Sequence, residues 1–269
     1  NDGHGHFTDT LQGLGHADSL DAALGDLDRD GDLDAFVANG YDNQPEQVWL
    51  NDGMGIFTAG QSLGSEQSNK VALGDLDNDG DLDAFVVNGK NQADRVWLND
   101  GTGHFIGTFQ GLGVSSGSDV VLGDLDGDQD LDVIVVNYEG SNQVWLNNGA
   151  GIFTTGQSFG TGETNSYYAA DLGDLDHDGD LDLVLANYQD AQLHSIEVWL
   201  NDGHGQFGQS TQRLGHSHGR RVTLGDLNED GALDIFVGND LDVFAPGGQT
   251  KNEVWFNTTE QVFLPAVLQ

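Results

Sequence analysis

Asp26-Leu-Asp-Arg-Asp-Gly-Asp-Leu-Asp34 sets a carboxylate at every second position of a nine-residue stretch. Like charges held this close repel, so the arrangement makes sense only around a cation. Hard oxygen donors in such number suit Ca²⁺, which takes roughly six to eight of them in a flexible shell. The stretch returns four times: Asp75-Leu-Asp-Asn-Asp-Gly-Asp-Leu-Asp83, Asp124-Leu-Asp-Gly-Asp-Gln-Asp-Leu-Asp132, Asp174-Leu-Asp-His-Asp-Gly-Asp-Leu-Asp182 and Asp226-Leu-Asn-Glu-Asp-Gly-Ala-Leu-Asp234. Successive copies start 49, 49, 50 and 52 residues apart. The chain is a repeat protein, and each repeat carries a candidate calcium loop.

Position by position, the first, third and fifth residues are expected to offer side-chain oxygens. These are Asp26, Asp28 and Asp30; Asp75, Asp77 and Asp79; Asp124, Asp126 and Asp128; Asp174, Asp176 and Asp178; and Asp226, Asn228 and Asp230. The seventh residue (Asp32, Asp81, Asp130, Asp180, Ala232) should give its backbone carbonyl and leave its side chain free, since Ala232 stands there without ruining the pattern. The ninth (Asp34, Asp83, Asp132, Asp182, Asp234) is the expected bidentate closer, with Leu33 and its counterparts turned into the core. Gly31 at position six permits a left-handed turn. The first half resembles an EF-hand, but position twelve is Val37 rather than Glu, so the loop reads as strand–loop–strand. Two copies depart, with Gln129 at position six and Asn228 at position three, and these two sites are expected to be the weakest of about five calcium sites.

A second marker travels with the loop: Val48-Trp-Leu-Asn, Val96-Trp-Leu-Asn, Val144-Trp-Leu-Asn, Val198-Trp-Leu-Asn and Val254-Trp-Phe-Asn. An Asn-Asp-Gly-type turn ending in Phe57, Phe105, Phe153 or Phe207 follows the first four, and Asn1 opens a similar one ending in Phe7. Each repeat resolves into four short apolar runs, for example Val71–Asp75, Leu82–Val87, Arg95–Asn99 and His104–Phe109. They are β-branched, aromatic and bounded by Gly, Asn and Asp, which predicts strands. Four antiparallel strands per unit of about 50 residues describe a propeller blade. The expected fold is all-β: one domain over residues 1–269, a five-bladed β-propeller of four-stranded antiparallel blades with the acidic loop between the first and second strands. Flat blades bury both faces, so Trp49, Trp97, Trp145, Trp199 and Trp255 are assigned to core packing.

Forty-five acids stand against eight Lys and Arg, a formal net charge of −37. Five bound Ca²⁺ would still leave about −27. So acidic a surface argues against nucleic acid and anionic membranes as partners. The absence of cysteine excludes a disulfide frame and a thiolate metal site. No apolar run approaches the roughly 18 residues of a membrane span. Loops of this kind are usually loaded where calcium is millimolar, which predicts a secreted, extracellular or cell-surface protein. The opening at Asn1, inside a repeat, reads as the start of a processed or truncated product.

Together, Gly-Asp-Leu-Asp-x-Asp-Gly-Asp-Leu-Asp and Trp-Leu-Asn-Asp-Gly-x-Gly-x-Phe resemble the FG-GAP/VCBS repeat, the module of integrin α-subunit propellers and of many secreted bacterial proteins. The resemblance covers essentially the whole chain. It implies a propeller with calcium in the loop between the first two strands of each blade, carried here by Asp26, Asp28, Asp30, Asp32 and Asp34 and their counterparts. Family propellers commonly have seven blades, and this chain encodes five. The family serves adhesion, carbohydrate binding and accessory roles beside enzymes.

In an up-and-down blade the acidic loops share a face with the Asn-Asp-Gly turns. The variable connections emerge on the opposite face, which holds Lys70, Lys90, Arg95, Arg220, Arg221 and Lys251 and the tyrosines Tyr41, Tyr138, Tyr167, Tyr168 and Tyr188. A glycan or protein ligand is expected there. No catalytic constellation emerges: the carboxylates are explained by calcium, His4/His6 and His216/His218 lack a third ligand, and nothing resembles a nucleophile elbow. The reading is a non-enzymatic binding or structural module, with a lectin or an accessory domain of a larger enzyme as alternatives. Six candidate fourth strands exist for five blades, headed by Phe7, Phe57, Phe105, Phe153, Phe207 and Phe263. A surplus strand predicts head-to-tail pairing between copies, as an oligomer or filament.

Overall fold

The structure, a computed structural model, describes residues 4–41, 44–160, 166–187, 196–212, 214–215, 218–239 and 251–258. Its described elements are all strands, and they pair antiparallel in chain order. The first sheet is β1 (Ser19–Gly25), β2 (Asp34–Asn39), β3 (Glu46–Asn51) and β4 (Phe57–Leu63). The second is β5 (Ser68–Gly74), β6 (Asp83–Asn88), β7 (Gln92–Asn99) and β8 (Phe105–Gly107), with β9 (Leu112–Ser115) also on β7. The third comprises β10 (Gly117–Gly123), β11 (Asp132–Asn137), β12 (Asn142–Leu146) and β13 (Thr154–Phe159). The fourth comprises β14 (Tyr167–Gly173), β15 (Asp182–Asn187), β16 (Ile196–Asn201) and β17 (Phe207–Gln209). The fifth has three described strands, β18 (Gly219–Gly225), β19 (Asp234–Asn239) and β20 (Glu253–Trp255). The C-terminal candidate for its outer strand lies, from residue 259 on, outside the described residues.

The chain divides into two compact units, Asn1–Gly117 with Asn147–Phe153, and Ser118–Leu146 with Thr154–Gln269. In the first, the second strands carry unbroken apolar runs because both of their faces are covered. Phe36 and Ala38 of β2 and Ala84 to Val87 of β6 are fully buried. The ring of Phe105 meets that of Phe36 edge-on at 5.3 Å, and Phe153 meets Phe85 at 5.6 Å. In the second unit Val133–Val136 and Leu183–Ala186 play the same part, with Trp145, Phe159, Trp199 and Phe207 packed around them. The assignment of Trp145 and Trp199 to the core agrees with this burial, while Trp49, Trp97 and Trp255 are half-buried.

Neighbouring sheets within a unit meet by a repeated set of contacts. A Cβ on Gly25 would stand 2.5 Å from Leu82 Cδ1 and 3.2 Å from Leu73 Cδ1 of the next sheet. Gly123 receives Leu181 and Leu172 in the same way, and Gly173 receives Leu233 and Leu224. At these three positions the glycine opening the Gly-Asp-Leu motif is therefore a socket for two leucines. Beside it, Asn99 Nδ2 donates to Leu27 O at 2.8 Å, Asn201 Nδ2 to Leu125 O at 2.8 Å, and Asn257 Nδ2 to Leu175 O at 2.6 Å. At the outer edge, Gln61 clamps Phe105 through both main-chain groups, at 3.0 and 2.7 Å, and Gln157 clamps Phe207 at 2.9 and 2.6 Å.

One position at the start of the third strands, filled by Glu46, Asp94, Asn142, Ile196 and Asn252 in turn, is buried in the first four sheets. Asp94 Oδ1 accepts Asn88 N at 2.8 Å, as Asn142 Oδ1 accepts Asn137 N at 2.9 Å. Burial pushes the Asp94 carboxyl up to about 7, outweighing the Asn88 N–H and the Arg95 charge that pull it down. The folded protein thus keeps a proton that the unfolded chain releases near about 4. The stability this contributes is full below that pH and is lost as pH rises through about 7. Asp94→Asn keeps the hydrogen bond without the charge. Its amide NH₂ finds no ready acceptor, as Asn142 Nδ2 finds none, which offsets part of the gain. Urea unfolding at about pH 8 should show Asp94→Asn stabilised on the order of 1 kcal/mol, with a flatter decline from acid to neutral pH.

Candidate metal centre

Each acidic nonapeptide links the first strand of a sheet to the second, and the Asn-Asp-Gly turn links the third to the fourth, so both lie at one end of the sheet. The ninth-position carboxylate fastens them together. Asp34 Oδ2 accepts Leu27 N at 2.9 Å and its Oδ1 accepts Asn51 N at 2.7 Å. Asp83 does this with Leu76 and Asn99, Asp182 with Leu175 and Asn201, and Asp234 with Leu227 and Asn257. All four of these, and Asp132, are fully buried.

The structure brings positions one, three and nine together. In Asp26/Asp28/Asp34, Asp75/Asp77/Asp83, Asp124/Asp126/Asp132 and Asp174/Asp176/Asp182, one oxygen from each acid lies within 4.8 Å of the others. Position five stays outside this trio. Its Oδ1 accepts the position-seven N–H, as in Asp30 to Asp32 at 3.0 Å and Asp79 to Asp81 at 2.9 Å. Position seven turns away toward the Asn-Asp-Gly turn, Asp32 against Gly53, Asp81 against Gly101 and Asp180 against Gly203. The expectation that this side chain is free needs correction at Asp81, which is buried and ion-paired with Arg29 of the preceding loop. In a field of acids, an exposed guanidinium next door finds a partner.

The donor set fits a cation. Asp26 Oδ1, Asp28 Oδ1, Asp77 Oδ1, Asp126 Oδ1 and Asp174 Oδ1 are shielded from water and accept no hydrogen bond. Burial first, then the neighbouring carboxylates, raises Asp28, Asp77, Asp126 and Asp176 above the ordinary carboxylate value. Burial likewise pushes Asp83 up to about 6 against the two N–H groups it accepts. A divalent cation among these oxygens would satisfy the orphans and reverse the shifts. Hard oxygens without nitrogen or sulfur fit Ca²⁺.

Backbone conformation refines the ranking of the loops. Position six is left-handed throughout, at φ 94°, 89°, 74°, 98° and 88° for Gly31, Gly80, Gln129, Gly179 and Gly231. Position four is left-handed too, at Arg29, Asn78, Gly127, His177 and Glu229. Each loop therefore has one non-glycine residue in this conformation, and the third loop has only exchanged its glycine from position six to four. Gln129 does not make that loop the more strained one. The fifth loop is the poorer site: Asn228 satisfies itself on Asp230, at 3.0 Å through each end of its amide.

On the opposite end, the basic and aromatic residues are partly spent on packing. Lys70 pairs with Asp21 at 3.3 Å and Arg95 with Glu66 at 2.8 Å. Tyr167 is fully buried, which removes it from the expected recognition face. Tyr168 lies beneath Arg220, 4.3 Å from ring centre to guanidinium, and edge-on to Tyr138 at 5.3 Å. Tyr188 and His216 lie outside the described residues.

Residues 26–86, 75–135, 124–185 and 174–237 each match the FG-GAP-like repeat. The chain belongs to that family. Among solved structures it is similar to BBS1N in complex with ARL6DN, in a mercury-soaked crystal (10% identity, TM-score 0.54) and a lead-soaked one (10%, 0.56). Each match covers 87% of this chain and 64% or 66% of the other, so the chain spans just under two thirds of those structures. The likeness supports an all-β, propeller-like arrangement of antiparallel four-stranded sheets. No curated protein matches. Among the described residues no helix is long and apolar enough to cross a membrane.

The hydrogen-bonding of positions seven and nine separates their roles. Asp83→Ala strips two buried N–H groups of their acceptor as well as a ligand, and is expected to cost about 2–4 kcal/mol even in EDTA. Asp81→Ala loses one ion pair, about 1 kcal/mol or less. Titration calorimetry should show Asp83→Ala short of one calcium and Asp81→Ala at full stoichiometry.

Proposed function

We propose that this protein is an extracellular, calcium-stabilised five-bladed β-propeller, one domain over residues 1–269. It serves as a non-catalytic binding and structural module, and its copies join head to tail. The observation that carries the calcium reading is the set of orphaned carboxylate oxygens at Asp26, Asp28, Asp77, Asp126 and Asp174. A protein that buries unpaired acid oxygens in four loops by the same local geometry has been shaped for a cation. Positions one, three and nine would hold it through side chains, position five through its remaining oxygen and position seven through its carbonyl. Extracellular calcium would keep such sites loaded. The neighbouring BBS1N structures hold a protein, ARL6DN, which favours protein recognition over catalysis here. Calorimetry should count four strong sites and a weaker fifth at Asp226/Asn228/Asp234. Each filled site adds about 2.7 kcal/mol at free calcium about 100-fold above its Kd. Excess EDTA should therefore lower the melting temperature steeply, and an unchanged melt would remove calcium from the reading.

A second reading, glycan binding, is favoured by one cavity. About 650 Å³ in volume, it is lined by Glu66, Arg95, Trp97 and Phe109 among others. Trp199 and Trp255 donate their indole N–H to Glu197 and Glu253 two residues earlier, at 3.0 and 3.2 Å. Arg95 occupies that earlier position in the second sheet, and Trp97 Nε1 is left without an acceptor. An aromatic wall with an ion pair beside it suits a hydroxyl-rich ring. On a glycan array, Arg95→Gln (the residue at positions 47 and 143) should reduce binding at least about tenfold without changing the melt. An array with no binding to the wild type would set this reading aside.

A further inference from the structure

Where the first sheet meets the second, three buried polar side chains come together with one proton too few. Ser68, which opens β5, places its Oγ 2.5 Å from Glu46 Oε1 of β3 and 2.9 Å from Asn88 Oδ1 of β6. Asn88 Nδ2 donates to Ala93 O at 2.7 Å, and that acceptor fixes the amide, so the atom facing Ser68 is an oxygen. A hydroxyl carries one hydrogen. Ser19 spends its own on Asn39 Oδ1 at 2.8 Å, where Asn39 is turned the same way by Pro45 O at 2.6 Å. Ser68 does likewise with Asn88, so the carboxyl at 2.5 Å has to bring its own proton. Glu46 is therefore a carboxylic acid that donates to Ser68 Oγ.

Its surroundings agree. Glu46, Ser68 and Asn88 are fully buried, and Glu46 Oε2 has no hydrogen-bond partner. That oxygen lies under the connection between β4 and β5: a Cβ on Gly64 would stand 2.5 Å from it and 3.0 Å from Glu66 Oε2. The charged groups on the surrounding elements are largely paired. Glu66 of the connection holds Arg95 of β7 at 2.8 Å, and Asp21 of β1 holds Lys70 of β5 at 3.3 Å. Asp94 of β7 stands behind Asn88, whose N–H it accepts at 2.8 Å. Burial pushes Glu46 up to about 7, with Glu66 adding to the rise and Arg95 opposing it. In the second unit the same three places hold Asn142, Tyr167 and Gly160, where a Cβ on Gly160 would meet Tyr167 Oη at 2.8 Å and Asn142 Nδ2 at 3.0 Å. The fold closes that junction without an acid, so packing alone does not require Glu46.

We propose that Glu46 is a proton-operated latch between the first and second sheets: neutral, it binds Ser68 and lets residues 64–66 lie closed over it, and ionised, it releases them. Ionisation removes the donor to Ser68 and sets a second negative charge against Glu66. It also leaves a charged oxygen under Gly64 that entering water has to solvate. The residues that lift, Gly64, Ser65 and Glu66, line the cavity of about 650 Å³ together with Arg95, so the proton also sets the shape of that wall. Glu46 stands at the opposite end of the sheets from the acidic loops, and the latch needs neither calcium there nor a ligand in the cavity. The unfolded chain releases this proton near about 4. Stability contributed by the latch is therefore full below that pH and is lost as pH rises through about 7.

The full chain is tested in saturating calcium on an Asp94→Asn background, which removes the neighbouring buried acid. Carboxyl nuclear magnetic resonance, with Glu46 assigned through its own backbone, should show that side chain titrating near about 7. Glu46→Gln keeps a donor to Ser68 and cannot ionise. Between about pH 5 and about pH 7 the urea unfolding constant should rise about tenfold per pH unit more steeply in the parent than in Glu46→Gln. Gln67 N donates to Gln92 Oε1 at 2.7 Å and Gly89 N to Gln67 O at 2.8 Å, so these two amides report on the connection. Their hydrogen exchange, corrected for its intrinsic pH dependence, should quicken about tenfold from about pH 6 to about pH 8 in the parent and stay level in Glu46→Gln. A Glu46 carboxyl that titrates near about 4 overturns the proposal, and that measurement needs no Glu46 variant to fold. Titration near about 7 with unchanged exchange at Gln67 and Gly89 overturns it as well.

Discussion

A buried carboxylate with both oxygens engaged by backbone N–H groups holds each repeat together. Asp34, Asp83, Asp182 and Asp234 accept from the second residue of their own acidic loop and from the asparagine that opens the following turn. Those donors would otherwise be buried without partners, at about 1–3 kcal/mol each. An aspartate at this position is therefore demanded by the fold before any metal is considered. The position-one acids cap their own loop through one oxygen, as Asp26 Oδ2 accepts Gly31 N at 3.1 Å and Asp174 Oδ2 accepts Gly179 N at 3.2 Å, yet each of the first four loops leaves at least one oxygen of position one or three orphaned. The loop divides into a structural acid at position nine and two acids whose remaining oxygens a cation would satisfy.

Glycine's part in the chain is equally divided. In the acidic loops it supplies a left-handed residue, and Gly127 shows that position four serves as well as position six. In the opening of the motif it supplies absence: at Gly25, Gly123 and Gly173 a Cβ would stand 2.5, 2.6 and 2.5 Å from a leucine Cδ1 of the next sheet, which would have to move. The two uses are indistinguishable in a motif, because both read as an unvarying Gly, and only the neighbouring sheet tells them apart.

Strand content, the four-stranded period and the acidic loops were legible because alternation, turn residues and charge each signal locally. Pairings between repeats were not. Nothing near Arg29 in sequence announces that it will hold Asp81, and nothing near Gln61 announces Phe105. Gln129 reads as a defect when position six is taken alone, and ceases to be one when Gly127 is seen to be left-handed as well. Tyr167 stands beside Tyr168 in a segment rich in polar residues, and strand alternation sends the first into the core and the second under Arg220. The Trp97 environment escaped for the opposite reason: five tryptophans at one repeated position suggest one role, and the residue two places earlier decides which of them keeps a free N–H.

The loop and the junction between sheets meet in a single peptide segment. Leu27 gives its N–H to Asp34, within the acidic loop, and its carbonyl to Asn99 and Gly103 of the next sheet. Leu125 gives its N–H to Asp132 and its carbonyl to Asn201 and Gly205. Whatever fixes the acidic loop therefore fixes the acceptor on which the next sheet hangs. A cation drawn to positions one and three would steady the residue between them, and that residue is the junction leucine. Unneutralised, the same acids push apart around it, in a chain that already carries −37. Metal binding at these acids would therefore be coupled to the stacking of sheets through the backbone of one residue per repeat, whose leucine side chain is itself buried at Leu27, Leu76 and Leu125.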